Sequence, residues 1–181
     1  MKRALTTFAS IMILLLTGCS TDGGVASSKP QGSASPAQSA SPASGTTTTT
    51  GGTVLPDVTG DKGKAPSLSA PSGEAPKTLQ IKDIYVGNGA EAKANSTLTV
   101  HYTLMAWSTG KIVESSWSGG SPATFGLDQV ILGWQQGIPG MKVGGRRLLV
   151  IPPDLGYGAA GGGPIGPNET LIFVVDLLDV K

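Results

Sequence analysis

The chain reads as an α+β protein in which one short helix packs on one face of an antiparallel sheet, and three features of its second half predict this. Thr97 to Leu104 alternates apolar and polar residues, Leu171 to Val180 repeats the alternation, and between them only the segment around Trp134 places apolar residues at helical spacing. A period of two is that of a half-buried strand, and a helix kept to one face of such a sheet is the α+β arrangement.

Taken in order, Thr78 to Val86 is a β-branched and Leu-containing run that predicts a first strand. In Thr97 to Leu104, Leu98, Val100, Tyr102 and Leu104 share one face, while Thr97, Thr99, His101 and Thr103 share the other. Tyr102 therefore points into the core or into a cavity that the core encloses, and His101 points away, to the surface or a secondary layer. The helix is predicted from Val130, Ile131, Trp134 and Ile138, with Asp128 as its cap and Gly137 and Pro139-Gly140 as its stop. Arg147 to Ile151 is a further strand, beside which Arg146 and Arg147 read as exposed charges. In the last strand Leu171, Phe173, Val175 and Leu177 fall on one face. Trp107 and Trp117 lie by polar turns, where they pack over the rim of the sheet or stay exposed for a client.

The first half has a different composition. Lys2 and Arg3 precede an apolar run from Ile11 to Leu16 and then Leu-Thr-Gly-Cys, ending at Cys19, which is the order of an export signal. The run is too short to span a bilayer, which needs about 20 apolar residues. Leu16 to Cys19 also resembles the bacterial lipobox, in which cleavage before the Cys leaves a thiol that carries lipid, and Cys19 is the chain's only cysteine. Residues 1–18 are thus expected to be a lipoprotein signal peptide and Cys19 the lipidation site that joins the protein to a membrane. Residues 19–53 are almost wholly Ser, Thr, Ala, Gly, Pro and Gln, with too little apolar surface to offset the entropy of ordering. As a flexible tether they would hold a domain on the order of 30 Å from the membrane. Residues 54–76 form a leading arm expected to run along the domain edge, and 77–181 form the domain.

Charge and cysteine content exclude several classes. Removing residues 1–18 takes the formal charge from 13 − 12 = +1 to 11 − 12 = −1, which disfavours nucleic acid as a partner, since that binding is mainly phosphate neutralisation. A lone His with no Cys or carboxylate cluster beside it gives no metal site. With one cysteine, no disulfide forms within the chain.

Residues Gly133 to Asp179, GWQQGIPGMKVGGRRLLVIPPDLGYGAAGGGPIGPNETLIFVVDLLD, set aromatic and branched apolar residues between Gly and Pro corners and contain no nucleophile paired with a base. This run, with VHYT from Val100 to Thr103 and DQVILGW from Asp128 to Trp134, resembles the FKBP-type peptidyl-prolyl isomerases, a family that also binds macrolides such as tacrolimus and rapamycin. The resemblance covers roughly the last hundred residues, and the tether and IPPDLGYG look like those of actinobacterial members. It implies a five-stranded half-barrel wrapped on the helix, with the ligand held between helix and sheet.

The resemblance also implies roles. Trp134 would be the pocket floor, with Tyr102, Val130, Ile131 and Phe173 as walls. The Tyr157 hydroxyl and the Ile131 N–H would donate to substrate carbonyls, and Ile165 would lie on the flexible loop over the mouth. Three positions depart from the family pattern: Val113-Glu114 stands for a Phe-Asp pair, Ala123-Thr124-Phe125 keeps only the second aromatic of Phe-x-Phe, and the loop Gly161 to Ile165 is short. Glu114 remains a hydrogen-bond acceptor whose extra methylene threatens its placement, and Val113 and Phe125 remain substrate-binding candidates. The expected activity is peptidyl-prolyl isomerisation that assists the folding of exported, proline-containing polypeptides, by a monomer needing no cofactor and binding macrolides weakly. Because of Val113, Glu114 and Ala123, the alternative is a non-catalytic peptide-binding or chaperone module of the same fold. A passive lipoprotein would leave Tyr157 and its glycine-flanked loop without a reason.

Overall fold

Strands β4 (Thr97–Ala106) and β8 (Leu171–Val180), the two with the clearest alternation, lie side by side and antiparallel from Leu98 opposite Val180 to Ala106 opposite Leu171. The computed structural model describes residues 52–181; the expected signal segment, Cys19 and nearly all of the tether lie outside the described residues. Strand β7 (Arg146–Ile151) pairs with β8, and β3 (Gln80–Tyr85) closes that edge. On the other side β5 (Lys111–Ser115) and β6 (Ala123–Gly126) each pair with β4, giving an all-antiparallel sheet of order β3-β7-β8-β4-β5 with β6 on β4. A separate ladder joins β1 (Val58–Thr59) and β2 (Ser67–Leu68).

The described chain therefore has eight strands, six of them in the main sheet, where five were expected. The extra strands are four residues long or shorter. Segments that short cannot display an alternation, so their pairing is decided by the long strands they meet.

The leading arm covers the back of the sheet. Leu55, Val58 and Leu68 pack on Met105, Leu148, Val150, Ile172 and Val174, together with Ile84 and Trp107. This is why Thr103, assigned by alternation to the polar face, is buried and why Leu171 to Leu177 is buried on both faces. The front carries the main core: Leu98, Val100, Leu104, Leu149, Ile151, Leu171, Phe173, Val175 and Leu177 against Trp134 and Ile138.

Helix α1 (Leu132–Gly137) is shorter than its apolar spacing implies. Asp128 does not cap it. Asp128 lies in a separate 3-10 turn, Leu127–Gln129, and Val130 and Ile131 follow with extended backbone, so Ile131 is the residue at the N-cap. Two adjacent β-branched residues favour extended backbone over a first helical turn. The helix ends where the Ile138 N–H bonds the Trp134 carbonyl and Gly140 turns the chain at φ 83°. It lies directly on β7: a Cβ at Gly137 would stand 2.7 Å from the Leu149 Cδ2, and one at Gly133 would overlap Ile151.

Arg146 and Arg147 are not exposed charges. Both are buried, with Arg146 at 0% relative exposure and Arg147 at 8%. The Arg146 Nε donates to both Asp176 oxygens at 2.8 and 3.0 Å, and its other nitrogens donate to the carbonyls of Gly60 at 3.1 Å and Lys64 at 2.6 Å. Tyr85 shares this site, with its ring centroid 5.7 Å from the guanidinium and its hydroxyl donating to Gly60. Arg147 pairs with Asp83 on β3, which lies opposite it in the register. Neighbouring residues of a strand point to opposite faces, so the two cations enter separate sites, and each can be buried because a carboxylate meets it there. These partners stand 30 and 64 residues away in the chain, beyond the reach of any local pattern.

Replacing Asp176 by Ala would leave the Arg146 charge buried without its carboxylate, which costs about 3–5 kcal/mol. Chemical denaturation should show that loss as a lowered midpoint at unchanged slope; a change below about 1 kcal/mol would make the pair no stronger than an exposed one.

Candidate functional site

The concavity between α1 and the sheet is lined by Tyr102 and Leu104 of β4, Glu114 of β5, Phe125 of β6, Val130 and Trp134, Tyr157 beyond β7, and Phe173 of β8. It encloses about 340 Å³ of space continuous with solvent. Its base is Trp134, 4% exposed. Tyr102, Phe125 and Phe173 meet the indole edge-on, at centroid distances of 6.0, 6.0 and 5.3 Å and interplanar angles of 82°, 88° and 86°. Edge-to-face contacts of this kind are the favoured geometry for aromatic pairs and leave the indole little freedom to tilt.

The polar groups are few. The Tyr102 hydroxyl donates to Glu114 Oε1 at 2.6 Å, so Glu114 reaches its partner despite the extra methylene. Tyr157 follows the 3-10 turn Pro153–Leu155. The N–H groups of Gly156 and Gly158 both bond the Pro153 carbonyl, and Asn168 bonds the Gly158 carbonyl, which fixes the loop at both sides of the tyrosine. Gly162 passes against the Tyr157 ring so closely that a Cβ there would lie 2.9 Å from Cδ1. Among the hydrogen bonds of the described residues none involves the Tyr157 hydroxyl, which leaves it free to donate into the concavity. Ile131 accepts from the N–H groups of Trp134 at 3.0 Å and Gln135 at 3.2 Å, while its own N–H has no intramolecular partner among the described residues.

Burial is the main reason that both tyrosine hydroxyls ionise above their ordinary value. For Tyr102 the hydrogen bond and charge of Glu114 add to it, and for Tyr157 the Glu114 charge does.

Seven of the residues expected at the site line this space: Tyr102, Glu114, Phe125, Val130, Trp134, Tyr157 and Phe173. The side chains of Val113 and Ile131 are half-buried against the core and are not part of this lining. Ile165 is not a residue of an open loop. The N–H of Gly162 bonds the Ile165 carbonyl and the reverse bond closes the pair, folding the loop inward, so Ile165 is buried in the core at 7% exposure. Leu104 lines the concavity without having been singled out, although it shares the Tyr102 face in the alternation. His101, on the opposite face, stacks on Trp117 at 3.9 Å with Nδ1 2.9 Å from the Ser116 hydroxyl, which makes it part of a secondary layer.

A family profile described as FKBP-type peptidyl-prolyl cis-trans isomerase matches residues 89–178. An FK506-binding protein of Streptomyces anulatus is 54% identical over 119 residues, covering 64% of this chain and 96% of the relative. The chain belongs to the FKBP-type peptidyl-prolyl cis-trans isomerases. A probable FK506-binding protein of Corynebacterium glutamicum is 48% identical over 113 residues, 62% of this isomerase and 96% of the relative. The crystal structure of FkpA from Escherichia coli superposes with a TM-score of 0.55 at 44% identity, covering 57% of this chain and 48% of that one.

In this isomerase both tyrosines should keep their protons to higher pH than an ordinary tyrosine, which ionises near pH 10. A raised value in the folded protein keeps the hydroxyl neutral to higher pH, so the isomerisation rate, followed by NMR exchange on an X-Pro peptide, should show no fall with a midpoint at or below about pH 10. A fall with a midpoint near pH 10 would mean that one of these hydroxyls ionises as it does in water.

Proposed function

We propose that this isomerase binds the X-Pro amide in its concavity with the prolyl ring on Trp134, and that its substrates are exported polypeptides met outside the cell membrane. The observation that carries the first part is an almost wholly apolar aromatic space whose base is rigid and whose one unpartnered side-chain hydroxyl is that of Tyr157. Rotation about an X-Pro bond crosses a barrier close to the ~18–20 kcal/mol of amide resonance and takes tens to hundreds of seconds unaided. No bond to carbon is made or broken, so no base, metal or cofactor is called for. Rate is gained wherever the twisted amide is bound better than the planar one. Twisting localises the lone pair on nitrogen and reduces the charge separation of the amide, so a dry apolar cavity favours the twisted form relative to water.

The residues divide the work accordingly. Trp134 and Phe173 supply the apolar surface, with Phe125, Val130 and Leu104 around them. Tyr102 is held by Glu114 and has no second proton to donate, so it acts as a wall. Tyr157 donates to a substrate carbonyl and the Ile131 N–H to another, which fixes the chain on either side of the rotating bond. Val113 and Ala123 add no ring to this lining, and each Å² of apolar surface that a macrolide leaves uncovered here weakens its binding by about 25 cal/mol.

The export part rests on Lys2, Arg3, the run Ile11 to Leu16 and the Leu-Thr-Gly-Cys segment. A diacylglycerol on Cys19 with an acylated amine supplies two lipid signals, enough for stable anchoring. Residues 19–53 would then act as the tether, 54–76 as the arm, and 77–181 as the isomerase domain, in an actinobacterial host.

The purified chain should accelerate cis-trans exchange of an X-Pro peptide, and Trp134→Leu should abolish most of that acceleration; equal rates with and without the wild-type chain would overturn the catalytic reading. Tacrolimus should bind with a dissociation constant well above the nanomolar range, measured by titration calorimetry, and a nanomolar value would show that the missing rings do not matter. In the host, Cys19→Ser should move the protein from the membrane fraction to the soluble exported fraction. Continued membrane retention of that variant would rule out the lipid anchor.

A further inference from the structure

The far end of α1 is held by a charged clamp that does not line the concavity. Arg147 Nε and Nη2 donate to the two Asp83 oxygens at 2.6 and 3.0 Å. Its Nη1 donates to the Gly137 carbonyl at 2.8 Å and stands 3.4 Å from the carbonyls of Ile138 and Pro139. One planar guanidinium thus joins strand β3 to the last carbonyls of the helix that carries Trp134. Such carbonyls lack intrahelical donors and hold the negative end of the helix dipole, so a cation is the favoured partner there.

The helix needs an external hold. Six residues are too few for a helix to persist on its own. The contacts of Gly133 and Gly137 with Ile151 and Leu149 let α1 lie close on β7, but they are apolar and have no direction. The Arg147 bonds are directional and tie the helix end to one place along the strand. The neighbouring Arg146 is equally buried yet directs its donors to Asp176, Gly60 and Lys64, none of them in α1.

We propose that Arg147, oriented by Asp83, is a positioning residue for isomerisation: by holding the C-terminal carbonyls of α1 it sets the height and tilt of Trp134 at the base of the concavity. It touches no substrate. The inference rests on the isomerase reading, and its test separates the two.

The experiment compares the 181-residue chain with Arg147→Met, Asp83→Asn and the control Arg146→Met, at a temperature where each is folded. Two quantities are read: the indole N–H resonance of Trp134, and kcat and KM for an X-Pro peptide by NMR exchange. Arg147→Met should shift the indole resonance and lower kcat about five- to tenfold with KM nearly unchanged, the pattern expected when stabilisation is weakened in the transition state alone. Asp83→Asn should act in the same direction and less strongly, and it decides the matter alone if Arg147→Met does not fold. Arg146→Met should lower the melting temperature and leave both readouts in place. Wild-type resonance and kcat in Arg147→Met and Asp83→Asn, with only stability reduced, would overturn the proposal, as would an equal loss of kcat in Arg146→Met. If the wild-type chain itself shows no isomerisation, the functional reading fails, and the indole resonance still decides whether the clamp positions Trp134.

Discussion

The contact between a six-residue helix and the strand beneath it governs the rest of this molecule. Gly133 and Gly137 remove the side chains that would hold α1 away from β7, so the helix backbone rests on Ile151 and Leu149. With the helix held at that height, Trp134 lies under Tyr102, Phe125 and Phe173. Larger residues at the two glycines would lift the helix and with it the base of the concavity.

Around that contact the sheet is covered on both faces, and a buried arginine stands at each. Arg146 holds the leading arm by the carbonyls of Gly60 and Lys64, and Arg147 holds the end of the helix. Burial pushes the Asp176 carboxyl above its ordinary value, while the Arg146 guanidinium against it acts in the opposite direction. Buried ion pairs are weak sources of net stability but are costly to break, so their main effect here is to allow one placement of arm and helix and to penalise others.

The mechanism we propose follows from this architecture without a reactive side chain. In it the rotational barrier is lowered by binding the non-planar amide, and binding of that kind depends on shape and dryness, which an aromatic lining provides. The same rings account for the polarity of the site. Tyr102 is committed to Glu114, whereas Tyr157, fixed between two glycines in a loop closed by Asn168, keeps its hydroxyl available.

Much of the fold was legible in the chain. Alternation located β4 and β8 nearly to their ends, spacing located the helix around Trp134, and the order of motifs identified most of the aromatic lining. These signals are local: period, turn residues and short spacings are all carried within about ten positions. Three things were not legible, and each depends on residues far apart in sequence. The short strands pair only because long strands are already there. Arg146 and Arg147 looked like surface charges because Asp176 and Asp83 reach them only through the sheet register. Ile165 looked like a loop residue over the mouth, whereas it is buried in a core built by distant strands and the helix. Sequence alone therefore determined the kinds of element and the chemistry of the pocket, because those follow from local period and residue type. Tertiary structure alone decided which charges are buried, where the helix begins and which side chains share the concavity, because burial is a property of what the rest of the chain places on top.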